Sequence, residues 1–178
     1  PQESALRLEI LQALPKEKAL YWIVQKTTEL GVNRLDFFCG NHSQNLSNFT
    51  NKNLQLNRWK RIALEASKQC GRKNPPEILL HENLKEALRR IPECPHSWIL
   101  CTGDLKPNYW KKIYNDRKNK PFFQRVLIGP EGGLHIDEIE LAINSGMRPV
   151  ELGPRILRSE TAVVSAVSIL QFLWGDLS

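Results

Sequence analysis

A glycine-rich turn, Gly129-Pro130-Glu131-Gly132-Gly133, contains residue types that could bind a ligand through the main chain. Its three glycines allow positive φ angles and let a ligand approach the backbone closely. The turn follows a short apolar run, and ligands bind at the carboxyl ends of parallel strands. Because no Gly-Lys-Ser/Thr follows and the spacing is not G-x-G-x-x-G, nucleoside triphosphate and dinucleotide sites are disfavoured. A tight strand-to-helix connection without a ligand is the other interpretation.

A second turn, residues 152–161, places two arginines between a predicted strand and a predicted helix. Gly153-Pro154 predicts a sharp bend, and Ser159 is expected to cap the helix that follows. Two guanidinium groups are more than a bend requires. One of them could contact an RNA phosphate, and the other could stabilise negative charge that develops on a substrate. The alternative is that both arginines pair with nearby glutamates.

Basic residues concentrate in two stretches, 52–73 and 106–125, each with seven cations against one anion. The whole chain carries 25 Lys and Arg against 19 Asp and Glu, a formal charge of +6 at pH 7. A solvated helix face is the usual meaning of such a stretch. The first stretch also contains Gln69, Arg72 and a glycine turn, a combination suited to contacting phosphates. We therefore expect a polyanionic partner.

The predicted elements that position these turns alternate along the chain. Strands are predicted at 6–14, 35–39, 78–80, 98–102, 125–129 and 149–152. Helices are predicted at 16–30, 54–70, 84–91, 108–115, 137–145 and 159–174. Repeated strand–helix units predict an α/β fold, with a mainly parallel sheet and helices on both of its faces.

Length and composition restrict the class of protein. The 178 residues, 41% hydrophobic and 25% charged, fit one globular domain and exclude a disordered or fibrous chain. The longest uncharged stretch, residues 161–175, is too short and too polar to span a membrane. The four cysteines show neither C-x-x-C spacing nor a histidine at zinc-finger distance. We expect reduced thiols in a cytoplasmic protein and no metal site.

Four segments in a fixed order resemble one known family. They are QKTTELGV at 25–32, EASKQCGR at 65–72, IGPEGG at 128–133 and LGPRILRSETA at 152–162. Together they are similar to the RsmE family, the 16S ribosomal RNA uridine-N3 methyltransferases of the SPOUT, or trefoil-knot, class. The resemblance extends over nearly the whole chain, and composition or spacing alone would not reveal it.

The resemblance implies a SPOUT methyltransferase domain over residues 1–178, with a deep trefoil knot near the C-terminus. It also implies S-adenosylmethionine as the cofactor, held by three loops that follow predicted strands. The implied cofactor-binding residues are Leu100, Thr102, Ile128, Gly129, Pro130, Glu131, Gly132, Gly133, Leu152, Gly153, Ile156, Leu157 and Thr161. Methyl transfer from a sulfonium requires no metal, and none is expected.

The implied reaction is methylation of N3 of uridine 1498 in the 16S ribosomal RNA of the small ribosomal subunit. Since N3 must lose its proton before it attacks the methyl group, Arg158 is the expected catalytic residue, stabilising the uridine anion. The expected RNA contacts are Arg61, Lys68, Gln69, Arg72 and Arg155. Glu131, Glu160 and solvent stay open as the acceptor of the proton.

The family also implies a PUA-like RNA-binding domain ahead of the catalytic domain, so residues 1–14 are expected to begin the catalytic domain after it. A homodimer is expected, with the last helix as the contact, although burial of that helix in the core is the other interpretation. Two other functions stay open. One is a SPOUT methyltransferase for another rRNA or a tRNA site, and the other is a non-catalytic RNA-binding module on the same fold.

Overall fold

The computed structural model describes residues 3–43, 52–101 and 122–177. Its strands are β1 Arg7–Ala13, β2 Arg34–Phe38, β3 Glu77–His81, β4 Ser97–Leu100, β5 Phe123–Ile128 and β6 Arg148–Val150. Its helices within these ranges are α1 Glu17–Glu29, α2 Lys52–Cys70, α3 Leu84–Arg90, α4 Ile136–Asn144 and α5 Ser159–Trp174. Each of these elements lies within a few residues of its predicted position.

The strands form one sheet in the order β3-β2-β1-β5-β4-β6, and every pairing in it is parallel. The predicted α/β fold with a parallel sheet is confirmed. Strand β1 lies at the centre and pairs with β5, with Gln12 opposite Ile128. The carboxyl ends of β4, β5 and β6 therefore lie side by side, and the loops that follow them leave the same edge of the sheet.

Helices cover both faces of the sheet, as predicted. On one face, α1 buries Leu20, Ile23 and Val24, a spacing that places all three on one side of a helix. The same face carries α2, whose Trp59 ring lies 5.2 Å from the ring of Phe37 on β2, and α5. Helices α3 and α4 pack on the opposite face. None of the described helices is both long and apolar enough to cross a membrane.

Several predictions concern residues outside the described ranges. They include the helix at 108–115, Thr102 of the expected cofactor site and most of the basic stretch 106–125. The connection from β4 to β5 also runs through residues 102–121, and the expected knot stays a prediction. The division into a catalytic domain that begins within residues 1–14 is likewise still an expectation.

Candidate active site

A cavity of about 390 Å³ opens at the carboxyl ends of β4, β5 and β6. Three loops and the first turn of α5 form its wall, with one side chain from α4. The lining residues are Leu100, Cys101, Ile128, Gly129, Pro130, Glu131, Gly132, Gly133, Leu134, Ile139, Leu152, Gly153, Arg155, Ile156, Leu157, Ser159 and Ala162. This volume lies in the range of small-molecule sites, and the mixture of apolar side chains and glycine backbone is typical of them.

The cavity brings together predicted cofactor residues from all three loops, although they lie far apart in the sequence. Leu100 follows β4, the glycine-rich turn follows β5, and Leu152, Gly153, Ile156 and Leu157 follow β6. Thr161 is exposed and does not line the cavity. Sequence reasoning missed Cys101, Leu134, Ile139, Ser159 and Ala162, which also line it.

The glycine-rich turn folds back tightly on itself. A Cβ atom placed on Gly129 would lie 2.9 Å from the backbone nitrogen of Leu134 and 3.1 Å from the carbonyl carbon of Gly133. Gly133 has a φ of 75°, and its N–H donates to the carbonyl of Pro130 at 3.0 Å. Because the neighbouring atoms are backbone, a side chain at position 129 would displace the wall of the cavity. Position 129 therefore requires glycine because backbone packs against backbone there, and the expected approach of a ligand to this turn stays a prediction.

Two buried side chains hold this turn from behind. The Ser159 hydroxyl donates to the Gly129 carbonyl at 2.9 Å, and the Gln12 amide donates to the same carbonyl at 3.0 Å. Gln12 Nε2 also lies 3.0 Å from Ser159 Oγ and 2.8 Å from the carbonyl of Ala13. Gln12 is completely buried and Ser159 nearly so. The two side chains thus join β1, the turn after β5 and the start of α5.

The expected capping role of Ser159 is wrong. The N-cap of α5 is Arg158, which makes no side-chain cap hydrogen bond, and Ser159 is already helical. The Ser159 hydroxyl binds the Gly129 carbonyl instead, because the parallel sheet brings the two loops together. The role of Gln12 could not be predicted from its neighbours in the sequence, because nothing distinguishes this glutamine from other polar residues within apolar strands.

Arg155 and Arg158 belong to the loop between β6 and α5, which forms part of the wall of the cavity. Arg155 lines it, and Arg158 precedes the first turn of α5; both side chains are exposed. Within the described part of the chain neither arginine forms an ion pair with a glutamate, contrary to the alternative interpretation. Glu131 instead accepts a hydrogen bond from the backbone N–H of Lys16 at 3.0 Å. Both guanidinium groups therefore face solvent, where an anionic substrate could reach them.

The chemistry of the remaining lining residues is limited. Burial, together with the nearby carboxylate of Glu151, raises the pKa of the Cys101 thiol to about 11. Cys101 is therefore a neutral thiol near pH 7 and a poor nucleophile. Among the described residues, no group of three His, Cys, Asp or Glu side chains could hold a metal ion.

The expected RNA contacts on α2 have different surroundings. Arg61 and Gln69 are exposed beside α1, and Lys68 forms an exposed ion pair with Glu65 at 3.0 Å. Arg72 differs from all of them because its side chain is only 9% exposed.

The Arg72 guanidinium is used within the protein. It donates to the carbonyls of Thr28 at 2.8 Å and Val32 at 2.9 Å and pairs with Glu3 at 3.1 Å. These contacts tie the end of α1 to the segment after α2. We therefore assign Arg72 a structural role in place of the expected RNA contact.

Comparisons with known proteins agree with this architecture. The family profile described as an RNA methyltransferase domain matches residues 2–171. The ribosomal RNA small subunit methyltransferase E of Buchnera aphidicola subsp. Schizaphis graminum is 35% identical over 99% of this chain and 69% of its own length. The protein of the same name from Bacillus subtilis is 30% identical, over 96% of this chain and 68% of its own length.

A solved structure of a protein with the same name has a fold similar to that of this chain. The crystal structure of a ribosomal RNA small subunit methyltransferase E from Neisseria gonorrhoeae bound to S-adenosyl methionine superposes with a TM-score of 0.83 at 29% identity. The superposition covers 99% of this chain and 70% of that one. The chain spans about two thirds of the length of these relatives.

Proposed function

We propose, since this chain belongs to the ribosomal RNA small subunit methyltransferase E (RsmE) family, that it transfers a methyl group from S-adenosylmethionine to a base of small-subunit ribosomal RNA. The observation that carries the proposal is the meeting of three loops around one cavity at the carboxyl edge of β4, β5 and β6. The loops after β5 and β6 contain the glycine turns, and the loop after β6 also carries the two exposed arginines. If the chain were instead a non-catalytic RNA-binding module, the cavity would bind no cofactor.

The lining residues fit S-adenosylmethionine by their chemistry. Apolar side chains such as Ile128, Leu152 and Leu157 provide a wall for an adenine ring, and the glycines leave backbone groups accessible to its polar edge. When bound, the cofactor supplies an electrophilic methyl group on a sulfonium. The remaining lining residues of the proposed cofactor site are Leu100, Gly129, Pro130, Glu131, Gly132, Gly133, Gly153 and Ile156. Thr102 and Thr161 stay predictions.

The substrate proposed is N3 of uridine 1498 in 16S ribosomal RNA. This nitrogen carries a proton and becomes nucleophilic only when that proton is lost, which places negative charge on O2 and O4. The Arg158 guanidinium can donate hydrogen bonds to these oxygens from its place before α5. The free N–H groups at the start of that helix favour the same charge. Because the Glu131 carboxylate already accepts a hydrogen bond from the backbone N–H of Lys16, we favour Glu160 or water as the acceptor of the proton.

A homodimer is proposed as the working assembly, with the outward side of α5 as its contact. Val163, Val167 and Leu170 are buried against the sheet, so one side of the helix belongs to the core. On its other side, Ile169 and Phe172 are exposed at a spacing of three residues. The two interpretations of this helix therefore apply to different sides of it. A ribosomal RNA substrate is in turn consistent with a cytoplasmic protein.

The function is tested with small ribosomal subunits that lack the modification. The chain is incubated with them and with S-adenosylmethionine labelled in its methyl group, and the modified nucleoside is identified after digestion. We expect label in 3-methyluridine at one position. Label in another nucleoside or in transfer RNA would favour a different SPOUT methyltransferase. Absence of cofactor binding in calorimetry would favour the non-catalytic module.

Replacing Ser159 with alanine is expected to raise the Kd for S-adenosylmethionine about fivefold, corresponding to about 1 kcal/mol for one lost hydrogen bond. The Gly129 carbonyl would then keep only the Gln12 amide, and the wall of the cavity would be held less firmly. Calorimetric titration measures the change. Ser145→Ala is the matched control, since the hydroxyl of this serine donates to the Leu141 carbonyl at the exposed end of α4, outside the cavity. An equal effect of both substitutions would contradict the role of Ser159.

A further inference from the structure

A groove of about 710 Å³ runs between α1 and α2, outside the proposed cofactor site. Helix α1 contributes Lys18, Trp22 and Gln25, and α2 contributes Arg61 and Gln69. All five side chains are exposed. Of these five residues, only Arg61 and Gln69 were expected from the sequence to contact RNA, and α1 was interpreted through its core-facing residues alone.

The groove carries an excess of positive charge. Its cations are Lys18, Arg58 and Arg61, of which Arg58 pairs with Glu17 at 3.3 Å. The anion in its lining, Glu65, is paired with Lys68 at 3.0 Å. Within the described residues, Lys18 and Arg61 form no ion pair, so their charges are available to a ligand. Unpaired cations along a groove attract a phosphate backbone.

An aromatic ring lies among these cations. The Trp22 side chain is 41% exposed, a large apolar surface for the outer side of a helix that already buries its core side. Nearby, Arg58 packs 4.5 Å over the Tyr21 ring, which fixes one wall of the groove. An exposed aromatic ring beside basic side chains is a surface on which unpaired bases stack, and the Gln25 and Gln69 amides can form hydrogen bonds with base edges.

The groove begins next to the cofactor cavity. The N–H of Lys16, just ahead of α1, donates to Glu131 in the cavity wall at 3.0 Å. Lys18 follows two residues later, and Trp22 lies about 9 Å further along the helix axis than Lys16, at 1.5 Å per residue. An RNA strand whose target base lies beside the cofactor cavity could therefore continue directly into the groove.

We propose that the α1–α2 groove binds single-stranded RNA next to the target base, with Trp22 stacking on a base and Lys18 and Arg61 contacting phosphates. The inference rests on the proposed function and extends it to nucleotides that are not modified. A second copy of the chain fits the groove less well. A two-fold contact through the groove would place its cations against the same cations of the partner.

The test compares variants of the whole chain for binding to a short fluorescent single-stranded RNA by anisotropy. Trp22→Ala is expected to weaken binding about tenfold, the effect of losing one stacked base, whereas Trp22→Phe keeps a ring and stays within about threefold of the unaltered chain. Phe122→Ala is the matched control, because this phenylalanine is 73% exposed at the amino edge of the sheet. The control is expected to bind RNA normally.

The phosphate contacts are tested by measuring how RNA binding depends on salt concentration. Replacing both Lys18 and Arg61 with alanine is expected to lower the slope of log K against log salt by about 1.4, at about 0.7 for each contact to a single strand. Lys85→Ala, on the opposite face of the sheet, is expected to leave the slope unchanged.

The outcomes separate this inference from the proposed function. Normal RNA binding and a normal KM for small subunits in Trp22→Ala would overturn the proposal that the groove binds RNA, even with methyl transfer intact. Absence of saturable RNA binding by the unaltered chain would also overturn the proposal. Loss of dimerisation by Trp22→Ala in sedimentation would overturn it as well, because the groove would then be a contact between copies of the chain. RNA binding that depends on Trp22, but without methyl transfer, would instead refute the proposed function and leave the groove in place.

Discussion

Replacing Arg158 with alanine is expected to lower kcat for methyl transfer by about 100-fold or more, the effect of removing one well-placed donor to a developing anion. The Kd for S-adenosylmethionine should change less than about threefold, because Arg158 does not line the cofactor cavity. Helix α5 should remain intact, since the Arg158 side chain makes no cap hydrogen bond. The loss would therefore concern the chemical step.

Single-turnover methyl transfer to small subunits, together with calorimetric titration of the cofactor, measures the two quantities separately. Arg155→Ala is the matched control, since Arg155 is exposed in the same loop but at the cavity rim. We expect Arg155→Ala to raise the KM for RNA and to keep most of kcat. If Arg158→Ala retained the full rate, another group would have to stabilise the uridine anion.

Replacing Gly129 with alanine is expected to weaken S-adenosylmethionine binding by more than about tenfold and to lower Tm. The added Cβ would lie 2.9 Å from the Leu134 backbone nitrogen, which no side-chain movement can relieve. The turn would have to move, and the Gly129 carbonyl would leave the donors of Gln12 and Ser159. Distortions of this kind in packed regions cost about 1–3 kcal/mol.

Gly146→Ala controls for loss of stability alone. Gly146 has a φ of 87°, with no atom within 4 Å of an added Cβ, and it lies at the end of α4 outside the cavity. Its substitution should lower Tm through backbone strain of roughly 1–2 kcal/mol and leave cofactor affinity unchanged. Gly153→Ala, with a similar φ of 93° and equal space, adds the same strain inside the cavity wall. Normal cofactor affinity in Gly129→Ala would show that the wall does not depend on this turn.

Local patterns in the sequence were sufficient for the elements and for the two glycine turns. The spacing of Leu20, Ile23 and Val24 predicts α1, and Gly31 with its φ of 83° marks where that helix stops. The turns were found because each follows an apolar run that ends in glycine. Such features depend on neighbours within a few residues, so a single sequence contains them.

The contacts behind the site depend on partners far apart in the chain. Gln12 reaches Gly129 across 117 positions, and nothing around Gln12 indicates that distance. Ser159 was given a local cap because its long-range partner was not visible. Arg72 was grouped with its basic neighbours, although its tertiary contacts to Thr28 and Val32 occupy it. Trp22, by contrast, could have been noticed in the sequence, because it is a large aromatic residue on the side of α1 that faces away from the core.

The central place of β1 has a consequence for the order of synthesis. During translation β1, β2 and β3 are made before β5 and can pair with one another, but the other edge of β1 stays unpaired until β5 has been made. Gln12 then waits longer still, until Ser159 leaves the ribosome. The cofactor cavity is therefore completed only after the segment that contains Ser159 has been made. An enzyme built in this way cannot bind its methyl donor before the start of α5 has left the ribosome that makes it.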